Sequence, residues 1–456
     1  MPTAPTLLRR LTIVEYFTFG FGSMVGVGWL VLIDDWLGRG GPGAAMLGFL
    51  AGGLLLLPVA ATYGVLVRRI PDAGAEVAYT EGVFPPVLSF AAGWTMVLAY
   101  AIVCPWEAVA IGNLLGRIVP AVNTFPLYTI AGKTIFAPRV AAGLLLTGLV
   151  AWVNVRGIRP SGQFQNLTTF GLLAAFAVFV SLGFARGDVS NLQPLFSRPG
   201  LAGGILSVIL AAQIVPYFMT GFESVVKGAE EARVGFPPRD FAKAMYAAVV
   251  AAVVFYVVIV AVVSYVYPWR EIVAGHVGTE AAFERAFGSH QIARLILAGA
   301  FLSLLKVFNG NFVAATRLLF AMGRRGLVHR GLGRVHGSHG TPAVAIWMLA
   351  ALTAVASLLG DALLVPITEV GSLAAGIGWL SACAACLARR EREGRTMAAA
   401  GVLVSLVLIA MKVLPFVPGS FTASEWVALG LWMGLGLTLW TLRVPRAGTP
   451  SPDTRE

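Results

Sequence analysis

The chain has 456 residues, of which 57% are hydrophobic and only 12% charged, with a formal net charge of +11. A soluble domain carries about 25% charged residues, so this composition excludes a water-soluble enzyme and reads as a multi-pass membrane protein. The excess of Lys and Arg gathers in a few loops, which makes it a topology signal rather than a nucleic-acid surface.

Windows of about 20 apolar residues predict about twelve spans. They lie near 13–33, 43–67, 88–118, 139–155, 165–185, 202–229, 241–266, 291–322, 342–359, 363–388, 397–415 and 424–443. Beyond them remain only a short N-terminal stretch and a polar C-terminal tail, so no soluble domain is expected. The first apolar run continues as a span, without the pattern of a cleaved leader. Alternate loops carry Arg9/Arg10, Arg68/Arg69, Arg156/Arg159, Arg233/Arg239/Lys243, Arg324/Arg325/Arg330/Arg334 and Arg389/Arg390/Arg392/Arg395. The intervening loops are poorer in base and diluted by Glu271, Glu280 and Glu284. This bias places both ends in the cytoplasm of a plasma or inner membrane protein.

The first span reads FTFGFGSMVGVGWL from Phe17 to Leu30, with glycines at 20, 22, 26 and 28. Glu15 begins it and is expected to join an inner gate with a loop arginine; Asp34 and Asp35 end it as a solvated vestibule pair. The predicted break is Val25–Gly28, and Ser23, Met24, Val25, Gly26, Val27, Gly28 and Trp29 are the candidate substrate-binding residues around it. A freed half-helix N-terminus presents backbone N–H groups and a partial positive charge, which suit a carboxylate. In the third span Cys104-Pro105 predicts a kink, followed by Glu107 at membrane depth. The sixth span, VPYFMTGFESVVKGAEE from Val215 to Glu231, is interrupted by Pro216 and Gly221. The predicted break is Phe218–Phe222. There Tyr217, Phe218, Thr220, Gly221 and Phe222 supply carbonyls and aromatic walls for a substrate ammonium.

Each broken span opens a block of about five. Paired Gly/Pro breaks at matching places in two halves point to a transporter binding site, because lipid leaves freed backbone groups unsatisfied and a polar ligand satisfies them. Glycines that merely allow close helix packing are the bland alternative.

Glu223 follows the second break. An intramembrane acid is costly and marks function by default; it is expected to carry a proton or to brace the break. Glu230 and Glu231 are expected in solvated or gate ion pairs. In the eighth span Lys306 lies about 18 Å in from Arg294 at about 1.5 Å per residue, beyond easy snorkelling. Its charge has to be met by Glu107, Glu223 or carbonyls of the first span. Glu107 is expected either to pair with Lys306 or to face a substrate amine. Asn309 and Asn311 read as interhelical hydrogen-bonding groups, with Asn311 reaching the site. The CAAC string ending at Cys386 lies in an apolar segment without His or carboxylate neighbours and reads as packing. No histidine cluster, metal site, cofactor motif or catalytic constellation is found, so no enzyme activity is expected.

Four strings then resemble the amino acid–polyamine–organocation superfamily. GSMVGVGWL (22–30) is similar to its broken first helix, G-x-M-I-G-[ST]-G-I-F. YGVLVRRIPDAGAEVAYTEGVF (63–84) resembles the end of its second helix and the loop after it. FMTGFESVVKGAEEAR (218–233) resembles its sixth helix, and NGNFVAATRLLFAMGRRGLV (309–328) its eighth. The resemblance implies an all-α integral membrane protein of the leucine-transporter type. Residues 1–190 would form the first inverted repeat of five helices, 191–390 the second, and 391–456 two further helices and a cytoplasmic tail. It implies secondary transport of a small amino acid or related amine, in membrane lipid, with protons as the expected coupling ion. The alternatives are sodium coupling, exchange of the same substrates, or a receptor that kept the fold. Val27 replaces the hydroxyl residue of the motif, Trp29 replaces an Ile, and 163–176 lacks the Lys that some proton-coupled members carry in the fifth helix. In sodium-driven relatives the first and eighth helices flank a cation site, where the Lys306 ammonium would stand in for sodium.

Overall fold

The computed structural model describes residues 7–130, 132–360, 364–389, 393–417 and 419–443. The C-terminal tail, Arg390 and Arg392 lie outside the described residues. Among those described, nine helical stretches are long and apolar enough to cross a membrane. The chain is therefore a multi-pass helical membrane protein.

A capping box at Thr12 and Glu15 starts α1 (Ile13–Met24). The chain then leaves the helix and resumes as two short pieces, α2 (Gly28–Val31) and α3 (Ile33–Gly38). Gly41, at a φ of +88° that favours glycine, turns the chain into α4 (Pro42–Leu55), and Pro42 suits its first turn. α5 (Leu57–Arg69) continues it, and the short α6 (Glu76–Thr80) follows. α7 (Pro86–Ala101) and α8 (Val103–Ile118) together make one span. Next come α9 (Ala137–Arg156), α10 (Ile158–Arg186) and a second broken stretch: α11 (Gly200–Ala212), α12 (Val215–Met219) and α13 (Ser224–Lys227). The rest is α14 (Arg239–Val266), α15 (Trp269–Ala274), α16 (Thr279–Phe287), α17 (His290–Arg324), α18 (Ala343–Ser357), α19 (Leu364–Ala388), α20 (Arg395–Val413) and α21 (Ala423–Thr441).

Three of the twelve expected spans fall short of that length and composition among the described residues, for identifiable reasons. The sixth stretch is split by its break. α18 has only 15 residues. Trp and Gly residues dilute the hydropathy of α21. The long connection 119–138 also differs from a plain loop. It holds an antiparallel hairpin, β1 (Pro126–Ile130) and β2 (Lys133–Phe136), with Ile130 opposite Lys133. The Tyr128 hydroxyl donates to the Leu358 carbonyl and ties the hairpin to the end of α18.

α17 is the central column. It packs on α1, α7, α8, α9, α10 and α18, and is buried almost continuously from Ser303 to Gly323. α20 and α21 lie at the edge and expose apolar side chains such as Leu403, Leu431 and Leu437, as lipid contact requires. α21 is held to α7 by a reciprocal pair. The Trp94 indole N–H donates to the Trp432 carbonyl at 3.0 Å, and the Trp432 N–H returns the bond to Trp94 at 3.2 Å. Their rings stack at 4.4 Å, over Gly436, where a side chain would collide with the Trp94 ring.

The face opposite the hairpin carries both described ends of the chain. There Leu11 bridges Ala232, and Trp440 meets Phe90. We call it the terminal face. Ion pairs close it: Arg324 holds Glu230 and Asp72, Arg325 holds Asp72 and Glu81, and Arg68 and Arg69 hold Glu393. Glu15 is not in this net. Its carboxylate accepts from Thr12 and from Asn166, so it caps α1 instead of gating with an arginine. Glu231 is also not solvated: it is fully buried and bidentate with Arg317, at 3.0 and 3.1 Å.

Candidate functional site

Between α1 and α2 the freed carbonyls are taken one after another by side chains. Gly22 and Val25 accept from the Lys306 ammonium, and Ser23 accepts from Asn311 Nδ2 at 3.0 Å. Met24 accepts from the Tyr256 hydroxyl at 2.8 Å. Ser303 donates to Val25 at 3.0 Å and to Gly26 at 2.7 Å. The donors fare differently. Among the described residues the N–H groups of Val27, Gly28 and Trp29 meet no acceptor. Acceptors are therefore saturated here, while donors are in surplus.

The second break has the opposite balance. Gly221 takes a φ of +130°, and the carbonyls of Phe218, Met219 and Thr220 accept from no backbone N–H. The two breaks touch. A Cβ on Gly221 would fall 2.6 Å from Ser23 Cβ, and one on Gly28 would fall 2.5 Å from the Phe218 ring. Glycine is thus needed on both sides for the breaks to cross.

A small cavity lies at this crossing. Ser23, Met24, Gly26 and Gly28 line it from the first break, and Tyr217, Phe218 and Thr220 from the second. Ala99, Val103, Trp106, Glu107, Val307 and Gly371 complete the wall. Its volume is about 20 Å3, enough for a water but not for an organic solute, so the site is closed down. Glu107 is buried beside Gly26, one carboxylate oxygen without a partner among the described residues. A second cavity of about 390 Å3 sits on the hairpin side, lined by Val27, Leu30, Val31, Leu32 and Trp106 together with residues of α8, β2 and α9. Trp106 and the first break separate the two.

Buried charge surrounds the crossing. Lys306 points at the first break, 5.2 Å from the Phe21 ring; of the three partners expected for it, the helix carbonyls make the contact. One oxygen of Glu223 braces the second break by accepting from the Gly221 N–H at 3.2 Å, and the other is buried without a hydrogen-bond partner among the described residues. Sequence reasoning passed over Lys227 and Glu76. Both are fully buried and paired, and the Tyr63 hydroxyl donates to Glu76 at 2.6 Å. The signal was present: Lys227 stands four residues after Glu223, at one-turn spacing. It was hidden by the acidic GAEE that follows and marks a span end.

Not every expected residue reaches the cavity. Trp29 packs on Phe179 and Phe255 and points away. Phe222 packs between Tyr63 and Trp379. Val25 contributes its carbonyl to Lys306 and Ser303, Val27 lines the larger cavity, and Gly221 serves the crossing. Asn311 acts from behind the wall, through the Ser23 carbonyl. Asn309 joins Asn154, Ser161 and Gln165 in an interhelical network. No group of His, Cys, Asp and Glu able to hold a metal occurs among the described residues.

The family model described as "Amino acid permease" matches residues 16–438. The methylthioribose transporter of Bacillus subtilis (strain 168) is 25% identical over 96% of this chain and 94% of its own length. The branched-chain amino acid permease BcaP of the same organism is 27% identical, covering 83% of this chain and 79% of its own length. Its serine/threonine exchanger SteT is 24% identical over 94% and 95% of the two chains.

Proposed function

The chain belongs to the amino acid permease family, and from that premise we propose that it is a proton-coupled secondary transporter of a small amino acid, working by alternating access around its two broken helices. The observation that carries the reading is the balance at the first break: every carbonyl from Gly22 to Gly26 is occupied, while the N–H groups of Val27, Gly28 and Trp29 are free. Donors without acceptors suit an α-carboxylate. The free carbonyls of Phe218–Thr220 and the unpartnered oxygen of Glu107 suit its ammonium. A zwitterion fits between them once Trp106 and Tyr217 move apart.

In this reading Lys306 is a tethered cation that bridges α17 to the first break, where a mobile cation would otherwise be needed. Glu223 and Glu107 exchange the transported protons. The fold would be two inverted repeats, 1–190 and 191–390, with α20 and α21 added. The terminal face, rich in arginine, would be cytoplasmic.

Uptake of labelled amino acids into proteoliposomes tests this. An imposed proton gradient should drive accumulation without sodium. Uptake that requires sodium would remove the tethered-cation role, and uptake of none of the common amino acids would remove the substrate class. Counterflow into preloaded vesicles separates exchange from net transport.

A further inference from the structure

The larger cavity on the hairpin side has an unbalanced charge. Its lining carries Arg117, Lys133 and Arg139 and no carboxylate. The three cations are compensated unequally. Arg117 pairs with Glu280 at the rim. Among the described residues Arg139 is held by neutral amide oxygens, Asn123 Oδ1 at 2.8 Å and Asn113 Oδ1 at 3.2 Å, with its guanidinium 5.0 Å from the Phe136 ring. The side-chain ammonium of Lys133, on β2, has no hydrogen-bond or ion-pair partner among the described residues. Among the described residues, three lining cations stand against one paired carboxylate, a surplus of two, and Asp34 and Asp35 beyond Leu32 are taken by His276 and Arg39. The floor adds to it, because Val27, whose N–H is unpaired, lines the same cavity.

We propose that this vestibule captures the carboxylate, or another anionic group, of a solute before the crossing opens. It would thereby select solutes that bear an anion and no net positive charge. The proposal rests on the transport reading for its consequence, but its electrostatic core is independent of it. A cleft walled by low-dielectric protein focuses such a field and raises the local concentration of anions by about 10–1000-fold. A cationic amine without a carboxylate meets the opposite effect. The hairpin gives the device a reason: it carries Lys133 to the cavity and is fastened by Tyr128 to the end of α18.

The field is measurable without any substrate. The native cysteines are all buried, so Val31→Cys offers a thiol in the vestibule. Its reaction rates with a negatively charged sulfonatoethyl methanethiosulfonate and a positively charged trimethylammonium analogue are compared, each normalised to a free thiol in solution. The anionic reagent should react about tenfold faster or more. Adding Lys133→Gln should lower the ratio several-fold, adding Arg139→Gln should bring it near one, and high salt should do the same in the parent. Because Arg139 also orders Asn113 and Asn123, the exposed Lys133 supplies the variant least able to disturb folding. A ratio near one in the Val31→Cys parent overturns the proposal. In proteoliposomes each common amino acid is then compared, as a competitor, with its amide and its decarboxylated amine. Lys133→Gln should raise KM at low salt and leave the maximal rate unchanged. Equal competition by the amines overturns the selection even if the field is present. Absence of any uptake counts against the proposed transport and leaves the thiol result to decide the vestibule.

Discussion

Lys306 and Lys227 are both fully buried, yet the protein neutralises them by different means. Lys227 meets a carboxylate, Glu76, whose second oxygen is bonded by Tyr63, and its ammonium lies within 6 Å of the Tyr63 and Tyr100 rings, at 5.9 and 5.6 Å. That unit is closed on itself. Among the described residues Lys306 meets neutral dipoles, the carbonyls of Gly22 and Val25, and one aromatic face. Carbonyls of this kind also hold bare metal cations. The charge of Lys306 is therefore balanced at longer range, and Glu107, which lines the small cavity with an unpartnered oxygen, is placed to feel it. A cation paired with an acid fixes structure, whereas one held by backbone dipoles stays responsive to protons and ligands nearby.

The sharpest way to break this comparison is to remove one partner at a time. Lys227→Met or Glu76→Ala alone leaves an unpaired buried charge and should cost about 3–5 kcal/mol. The double variant Lys227→Met/Glu76→Gln should recover most of that loss, as read by thermal unfolding in detergent. Lys306→Met should cost less than Lys227→Met, since no directly paired carboxylate is stranded; an equal loss would mean that the two lysines do the same work.

The next largest effect should be on transport. Lys306→Ala removes two charge-assisted contacts to the first break, worth about 1.5–3 kcal/mol each, and should slow uptake by about tenfold or more with the protein still folded. Normal uptake in that variant would reduce Lys306 to a packing residue.

Glu223→Gln keeps the shape of the brace on Gly221 and removes the titrating group. Uptake measured from pH 5 to pH 8 should lose its slope, with only a few-fold change in rate at the optimum. An unchanged profile would leave Glu107 as the remaining acid at the crossing.

The smallest effect should be at the terminal face. Burial alone would raise the pKa of Asp72, but the hydrogen bond and charge of Arg325, the Gly74 N–H and Arg324 outweigh it and hold the carboxyl below its usual value. Stabilisation from this group is therefore complete above the ordinary carboxylate pKa of about 3.9 and is lost only as pH falls through the lowered one. Asp72→Asn should cost about 0.5–1 kcal/mol and leave the pH profile between 5 and 8 unaltered. A change of slope there would make the terminal gate, and not the crossing, the proton sensor.

Both breaks were legible because Gly/Pro-rich stretches recur at matching places in the two halves, which close packing alone does not require. Lys306 and Glu107 were legible because apolar sequence surrounds them. Partner choice was not. Whether Glu107 meets Lys306 depends on the rotation of α8 against α17, and no local pattern encodes it. Trp29 looked like a wall residue by position, but the one-turn α2 swings its ring toward α10 and α14. Lys227 and Glu76 escaped notice because each sits beside a loop in sequence, and only the fold carries those segments inward. The hairpin was missed for a simpler reason: its strands are short and mostly exposed, so they lack the alternation that announces a strand.

The stacked indoles of Trp94 and Trp432 carry one more consequence. Two identical chromophores with ring centres 4.4 Å apart and stacked at 13° couple their excited states, so their near-ultraviolet absorption and circular dichroism should change when the rings separate. α7 runs into α8, which bears Glu107, so the change reports from the outermost helix on the wall of the site. A native optical signal, needing no label, would then follow whether α21 stays seated while the crossing opens.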